Sequence, residues 1–461
     1  MTTQHFSASA RPRFYFGELA ATLTTGKLVL PSDPDWADAA AAWNRAIPQA
    51  PAAVVIAGTS ADVVATVKHA LRHHIPISVQ PGGHGATTAL DGTILIRTGA
   101  LDDIWIDADN AVARVGAGVK WGALQTALNG TGLAGPMGSS PDITVTGFCL
   151  GGGMSLFSRA IGVAANLVRA VEIIDGTGKH RWIDDDSAPE LMWALRGGGG
   201  DFAVVTALEI TLAPAPAISG GRIVFPASDA PAVWRAFAQV TATAPDALTL
   251  FASVLHFPPI PEIPEEIRGQ SFCAIDAVYL GDLDALESAI APIRHAGNVI
   301  RHTVRTLQPG DVGTVCEEPL DPAPAVTGVT SLNGLDERAI DTILDAAGTP
   351  ACGLLQVQLR HLGGAMRTPS TRAACERIGA AYSLMALTMA PVPEAIGPAN
   401  AAVNSLIGQV EEFHGGPLTV SMLGDADPLA AAFSPAVLER LRTAKAVADP
   451  ARVFRSNRPV P

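Results

Sequence analysis

Three glycine clusters constrain this chain more than any other feature. They are Gly82-Gly83-His84-Gly85 within "VQPGGHGATTALDG" (79–92), "CLGGGMS" (149–155) and "LRGGGGDFAVVT" (195–206). Glycine in regular structure costs roughly 0.5–1 kcal/mol per position, so such density needs a cause. One cause is a set of turns with positive φ or tight backbone crossings. The other is backbone drawn close to a bulky flat anion, where bare N–H groups can point at phosphate oxygens. Four consecutive glycines between apolar runs exceed what a turn requires, and on composition alone the two readings stand level. "GAGVKWG" (116–122) is a near miss to GxGxxG, without the acidic partner about 20 residues on that a nicotinamide fold supplies.

The clusters sit in a chain of 461 residues, too long for one core, so two domains are expected. A hydrophobic share of 48% against 16% charged residues predicts globular folding rather than disorder. The net charge of −13 argues against a nucleic-acid or anionic-membrane surface, and no apolar run is long enough to span a bilayer. The start, "MTTQHFSASARPRFYFGELA", lacks the basic and apolar blocks of a secretory signal. Five scattered cysteines (Cys149, Cys273, Cys316, Cys352, Cys375), odd in number and never in CxxC spacing, predict neither a disulfide framework nor a zinc site, and suit a reducing cytoplasm.

In the first half, strand-like runs alternate with helical patterns. "AAVVIAG" (52–58) leads into a helix over 59–74 capped by Thr59 or Ser60, and "IPISVQ" then runs straight into the first glycine loop. Strands are expected at 92–98, 104–110 and 111–118, a helix over 120–132, and a hairpin over 169–184 turning at Asp175-Gly176-Thr177-Gly178. After "LAPAP" the texture changes. "GGRIVFPA" (220–227), "ALTLFASVLHF" (247–257), "QSFCAIDAVYLG" (270–281) and "GLLQVQLRHLGG" (353–364) alternate like half-buried strands, separated by helical patterns at 283–297 and 336–348. This predicts an antiparallel sheet with helices on one side.

As a lone histidine, His84 reads first as a hydrogen-bonded turn residue. A metal role has no second ligand at suitable spacing, and a nucleophile role requires an electrophile held in the same cleft. Here the motifs carry a resemblance. "VQPGGHGATTALDG", "RVGAGVKWGALQTALNGTGLAGPMGSSPDITVTGFCLGGGMSLFSRAIGVAANLV", "LMWALRGGGGDFAVVTALEITL" and "RLRTAKAVADPARVFRSN", in that order, resemble the flavoprotein oxidoreductases of the vanillyl-alcohol oxidase superfamily, berberine-bridge-enzyme-like branch.

The resemblance implies an α+β fold. Its two-lobed FAD-binding domain of PCMH type takes residues 1–214, and a substrate domain with a large antiparallel sheet covered by helices takes 215–433. A C-terminal segment, 434–461, returns to the first domain. It also implies a single covalent bond from His84 to the 8α-methyl of FAD, since the position of a second, cysteine link falls at Ser140. Cys149, just before the triple glycine, is expected to pack against the strand below. The other cofactor-binding residues implied are Pro81, Gly82, Gly83, Gly85, Ala86, Gly118, Pro136, Gly138, Ser139, Ser140, Thr144, Gly147, Gly151, Gly152, Gly153, Gly198, Gly199, Val204 and Asn457.

The sequence departs from the family pattern at three places. Gln80-Pro81 stands where a cation is common, Asp201 replaces a usual asparagine, and Thr419 occupies the place of a tyrosine base in "LTVSMLGD", with Ser421 and Met422 beside it. With three tyrosines in the chain (Tyr15, Tyr279, Tyr382), the proton acceptor must be another group, or the substrate must be an already acidic enol or phenol. Alternation puts Gln356, Gln358 and Arg360 on one strand face, either solvated or directed at substrate. Tyr382, on the helical pattern that follows, and His256 are further candidates. The expected partners are a small organic substrate and dioxygen, in a cytoplasmic monomer or homodimer. The competing readings are a flavin-dependent oxygenase or cyclase tailoring an enolisable polyketide-like metabolite, a flavin-binding protein without turnover, and a nicotinamide dehydrogenase built on "GAGVKWG".

Overall fold

Four sheets organise the chain in a computed structural model that describes residues 12–424 and 426–461. Residues 1–11, on which the secretory-signal reading largely rests, lie outside the described residues. The first sheet orders its strands Lys27–Val29, Ala53–Ile56, Ile94–Arg97 and Ile77–Val79, the last three parallel. Parallel pairing needs a crossover, and helix Ser60–His73 provides it. That helix begins at Thr59, whose side chain accepts the Asp62 N–H in a capping box, and it ends at His74 in the left-handed region (φ 54°). Burial pushes the Asp62 carboxyl up, but hydrogen bonds from Thr24, Gly58 and Thr59 outweigh it and bring the pKa to about 2.

The second sheet is antiparallel, in the order Ile104–Asp107, Val112–Gly116, Val204–Thr211, Val168–Ile174 and His180–Asp184. The hairpin expected over 169–184 is present in it, and strands Ile104–Asp107 and Val112–Gly116 pair as a second. A two-stranded ribbon, Leu133–Ala134 with Ala213–Pro214, follows at its margin.

The largest sheet is built from residues 218–389 and is antiparallel throughout. Strand Ile218–Pro226 carries the short edge strands Arg301–His302 and Arg305–Leu307. Next come Ser271–Tyr279, Leu248–His256, Gln356–His361, Tyr382–Met389 and Ala325–Leu332. Helices Ala230–Thr243, Leu283–Arg294, Glu337–Ala347 and Pro393–Gln409 cover one face, packing Trp234, Phe237, Ile290 and Ile343 against Val357, Leu359 and Leu384. Each such side chain contributes about 1.5–3 kcal/mol by leaving water. Phe251 and Val278, on the opposite face, join the core of the five-stranded sheet. The two layers therefore meet along that face.

One strand of this sheet runs against expectation. Tyr382–Met389 was read as helical because "YSLMALTM" is rich in good helix formers, yet it is an interior strand between Gln356–His361 and Ala325–Leu332. Ala325–Leu332, outside the strands expected from sequence, ends the sheet and carries Gly328 near its middle. That glycine admits the covering helix: a Cβ on Gly328 would stand 2.4 Å from Val403 Cγ1.

A glycine-loop cleft as the candidate active site

The first glycine loop leaves the end of strand Ile77–Val79 and is held from below by a cation. Arg97, ending the neighbouring parallel strand, donates from Nη1 to the Gln80 carbonyl (3.0 Å) and Gln80 Oε1 (2.8 Å). Its Nε and Nη2 reach the Ala39 and Ala41 carbonyls. Burial, with Arg45 nearby, lowers the Arg97 pKa to about 10, so it stays charged. Gln80, in the place where a cation was expected, is thus the partner of one contributed by another strand. Gly83 must be glycine: its φ is 94°, and a Cβ would press on Gln80 and Ala42.

His84 follows, stacked on Trp43 with ring centroids 4.5 Å apart and planes 18° from parallel. Trp43 is itself fixed by its backbone N–H on the Gly82 carbonyl (3.0 Å) and its ring N–H on the Leu320 carbonyl (3.2 Å). The His84 Nε2 is buried without a hydrogen-bond partner, and Asp142 Oδ2 lies 3.7 Å away. Burial lowers the His84 pKa to about 4, with Asp142 pulling it up and Lys120 pushing it down. At neutral pH the imidazole is uncharged and keeps a lone pair.

Asp142 belongs to the second motif and forms an ion pair with Lys120. Before it, Pro136, Gly138, Ser139 and Ser140 are buried, and the Asp142 N–H donates to Ser140 Oγ (3.4 Å). Thr144 precedes the short helix Val145–Leu150, which contains Gly147 and a fully buried Cys149. Gly151–Gly153 then pack against the segment after residue 416. Ser421 donates its N–H to the Gly151 carbonyl (2.8 Å) and accepts the Gly153 N–H on Oγ (3.2 Å). A Cβ on Gly152 (φ 100°) would stand 2.7 Å from Thr419 Cβ. These glycines therefore serve a close approach within the protein, as does Gly118, where a Cβ would meet the Thr98 carbonyl at 2.4 Å. Gly198 is likewise crowded by Ala194. Gly85, Gly199 and Gly200, by contrast, face open space within 4 Å of an added Cβ.

The C-terminal tail completes the loops. Ser78 Oγ donates to the Arg455 carbonyl (2.6 Å), Thr87 Oγ1 to the Asn457 carbonyl (2.5 Å), and Gln80 Nε2 to Asn457 Oδ1 (3.5 Å). Asp201 explains the tail's course, since its carboxylate accepts the N–H groups of Ser456 (2.8 Å) and Val460 (3.0 Å) with Lys445 3.4 Å away. Both oxygens are engaged by the tail. Val204, just beyond, is a core strand residue.

In the largest sheet, residues opposite one another in neighbouring strands share a face. One row runs Arg222, Asp276, Phe251, Arg360, Ser383 and Ser331. Gln358 and Gln356 lie two and four positions along on that face, away from the helices. Arg360 donates to Gln358 Oε1 (2.7 Å), stands over the Phe251 ring at 5.0 Å and lies 3.8 Å from Glu318. Gln356 Nε2 donates to Ser253 Oγ (3.4 Å). Arg222 and Asp276 form a buried bidentate pair at 2.6 and 2.9 Å.

Two candidates are withdrawn from this face. Tyr382 pairs with His361 on the helix side, its hydroxyl 2.5 Å from Thr241 Oγ1 beneath helix Ala230–Thr243. His256 engages Ser271 Oγ (2.8 Å) and the Ala347 carbonyl (2.9 Å). Thr419 is buried, its hydroxyl on Ser421 Oγ (3.0 Å), in a segment with a 3₁₀ turn over Val420–Met422. Trp43, Arg97 and Asp142 were not singled out from sequence. Asp142 lies inside a quoted motif, but nothing local marked it as a neighbour of His84.

Among the described residues, one grouping brings three ligand-type atoms within 4.8 Å: Glu18, His69 and His73. None belongs to the glycine loops. No described helix is long and apolar enough to cross a membrane.

Residues 51–184 match the family described as "FAD binding domain". The chain is 27% identical over 294 residues to the uncharacterized FAD-linked oxidoreductase YvdP of Bacillus subtilis (strain 168), covering 63% of each. It is 29% identical over 282 residues to (R)-6-hydroxynicotine oxidase of Paenarthrobacter nicotinovorans, covering 60% of each. The matched stretch thus spans about three fifths of those relatives' lengths. The structure of Physcomitrella patens BBE-like 1 superposes with a TM-score of 0.84 at 18% identity, over 97% of this chain and 99% of that one. The chain therefore carries an FAD-binding domain within the berberine-bridge-enzyme-like fold.

Proposed function

We propose that this protein is an FAD-dependent oxidase, with its cofactor joined to His84, acting on a small organic substrate and passing electrons to dioxygen. The carrying observation is His84: an uncharged imidazole stacked on Trp43 within glycine backbone, its Nδ1 edge toward Gly82 and open space at Gly85. Those are the properties an imidazole needs in order to bond to an electrophilic carbon. FAD, when bound, would accept two electrons from substrate as a hydride and return them to dioxygen.

The chain's own residues divide the work. The backbone at Pro81, Gly82, Gly83, Gly85 and Ala86 brings the cofactor edge to His84. Ser139, Ser140, Thr144 and the open Gly199 line its path, and the tail with Asn457 closes it. On the facing sheet, Gln356, Gln358 and Arg360 bind and orient the substrate, while Thr419 supports the triple glycine and moves no proton.

The facing row favours substrates that bring their own acidity. Its carboxylate Asp276 is paired to Arg222, while Arg360, held by Gln358 and 3.8 Å from Glu318, is the guanidinium of that face that would meet an anionic oxygen. An enolisable or phenolic substrate would ionise against that guanidinium, and this row also accommodates the second reading, an oxygenase or cyclase acting on a polyketide-like dicarbonyl. The test is anaerobic mixing of the yellow protein with panels of phenols, cyclic amines and 1,3-dicarbonyls. Rapid bleaching, reversed by air with hydrogen peroxide release, supports the oxidase. Oxygen retained in the product selects the second reading. A flavin that no member of the panel bleaches would leave a binding protein without turnover.

A further inference from the structure

We propose that Asp142 is a positioning residue for cofactor attachment: it takes the Nε2–H of His84 and so leaves Nδ1 as the nitrogen that bonds to the flavin. The inference rests on the reading of His84 given above. A neutral imidazole carries its proton on one nitrogen and its lone pair on the other, and a carboxylate beside one of them fixes which is which.

The ring can use only its edges, because Trp43 covers a face. The Nε2 edge is shut in: the atom is buried, although the side chain as a whole keeps 21% of its exposure. Its neighbour is Asp142 Oδ2 at 3.7 Å, just beyond hydrogen-bond reach and closable by a small side-chain rotation. The other carboxylate oxygen is tied to Lys120, which keeps the side chain aimed. The Nδ1 edge lies toward Gly82, where a Cβ would stand 3.5 Å from that nitrogen, so glycine leaves the approach bare. Burial holds the ring neutral, which suits it as a donor of an electron pair.

In the step itself, Nδ1 supplies the pair for a bond to the 8α-carbon. One C–H bond of that methyl breaks, its proton goes to solvent, and its electrons leave the flavin reduced by two. The ring, now carrying a positive charge, gives up its Nε2 proton toward Asp142. Dioxygen then restores the oxidised flavin and becomes hydrogen peroxide.

The test uses full-length protein as purified: wild type, Asp142→Asn, Asp142→Glu and His84→Ala. Total flavin is read by absorbance, and the covalent fraction by fluorescence of the acid-denatured chain. Asp142→Asn should keep its total flavin while the covalent fraction falls at least fivefold. Asp142→Glu should recover at least half of it, which a merely steric role would not give. The flavin peptide from wild type should be substituted at Nδ1. A covalent fraction in Asp142→Asn equal to wild type, with His84→Ala null, would overturn the proposal and leave the His84 reading intact. So would attachment at Nε2, or an Asp142→Glu variant as deficient as Asp142→Asn. Wild type without covalent flavin would overturn both.

Discussion

The glycine loops and the large sheet, the two walls of the proposed site, are built on opposite principles. The loop wall presents backbone: Gly82–Gly85, Gly151–Gly153 and Gly197–Gly200, where geometry is set by missing side chains. The sheet wall presents side chains in paired rows, with Arg222 on Asp276 and Arg360 on Gln358 and Glu318. A backbone wall fits one flat, invariant cofactor. A side-chain wall can be rewritten residue by residue to fit a substrate. On the function proposed above, the difference explains why the cofactor loops are legible in the sequence and the substrate contacts are not.

The comparison can be broken most severely at the buried pair. Arg222→Leu strands Asp276 in the interior and should cost about 3–5 kcal/mol in denaturant unfolding. A cost near zero would mean the sheet wall is wetter and looser than its geometry implies. Glycines on the loop wall should then separate into two kinds. Gly152→Ala meets Thr419 at a positive φ and should lose about 1–3 kcal/mol from backbone strain alone. Gly85→Ala enters open space and should change apoprotein stability by less than about 0.5 kcal/mol while weakening flavin retention. Equal losses at both positions would erase the distinction between glycine kept for the protein and glycine kept for the ligand.

On the sheet wall, Arg360→Ala should leave flavin content unchanged and lower kcat/KM by ten- to a hundredfold, about 1.4–2.8 kcal/mol of transition-state binding. An unaltered kcat/KM would remove Arg360 from the substrate's contacts. The helix side should leave turnover untouched. Tyr382→Phe gives up one buried hydrogen bond, costing about 1 kcal/mol of stability with turnover unchanged. A collapse of turnover there would reverse the assignment of the two faces.

How far the sequence carried the argument follows the same divide. Period-two alternation exposed Ile218–Pro226, Leu248–His256, Ser271–Tyr279 and Gln356–His361, because one face of each meets helices and the other does not. Tyr382–Met389 stayed hidden because an interior strand apolar on both faces has no such alternation, and Leu, Met and Ala suit helices as well. In the loops, the histidine between glycines was legible, whereas its neighbours were not. Trp43 reaches it from the segment after the first strand, and Arg97 from the end of a parallel strand. Such proximities are made by tertiary pairing and leave no local pattern. Asp201 illustrates the reverse case: it read as a departure at the cofactor, and it proves to be the anchor of the C-terminal tail.

The central claim, that the loop wall holds FAD through His84, is tested most directly by acid-denaturing the purified protein beside a His84→Ala variant. The account predicts yellow, flavin-fluorescent protein in the wild-type pellet and a colourless pellet from the variant, whose flavin washes into the supernatant. Flavin that washes out of both would contradict it.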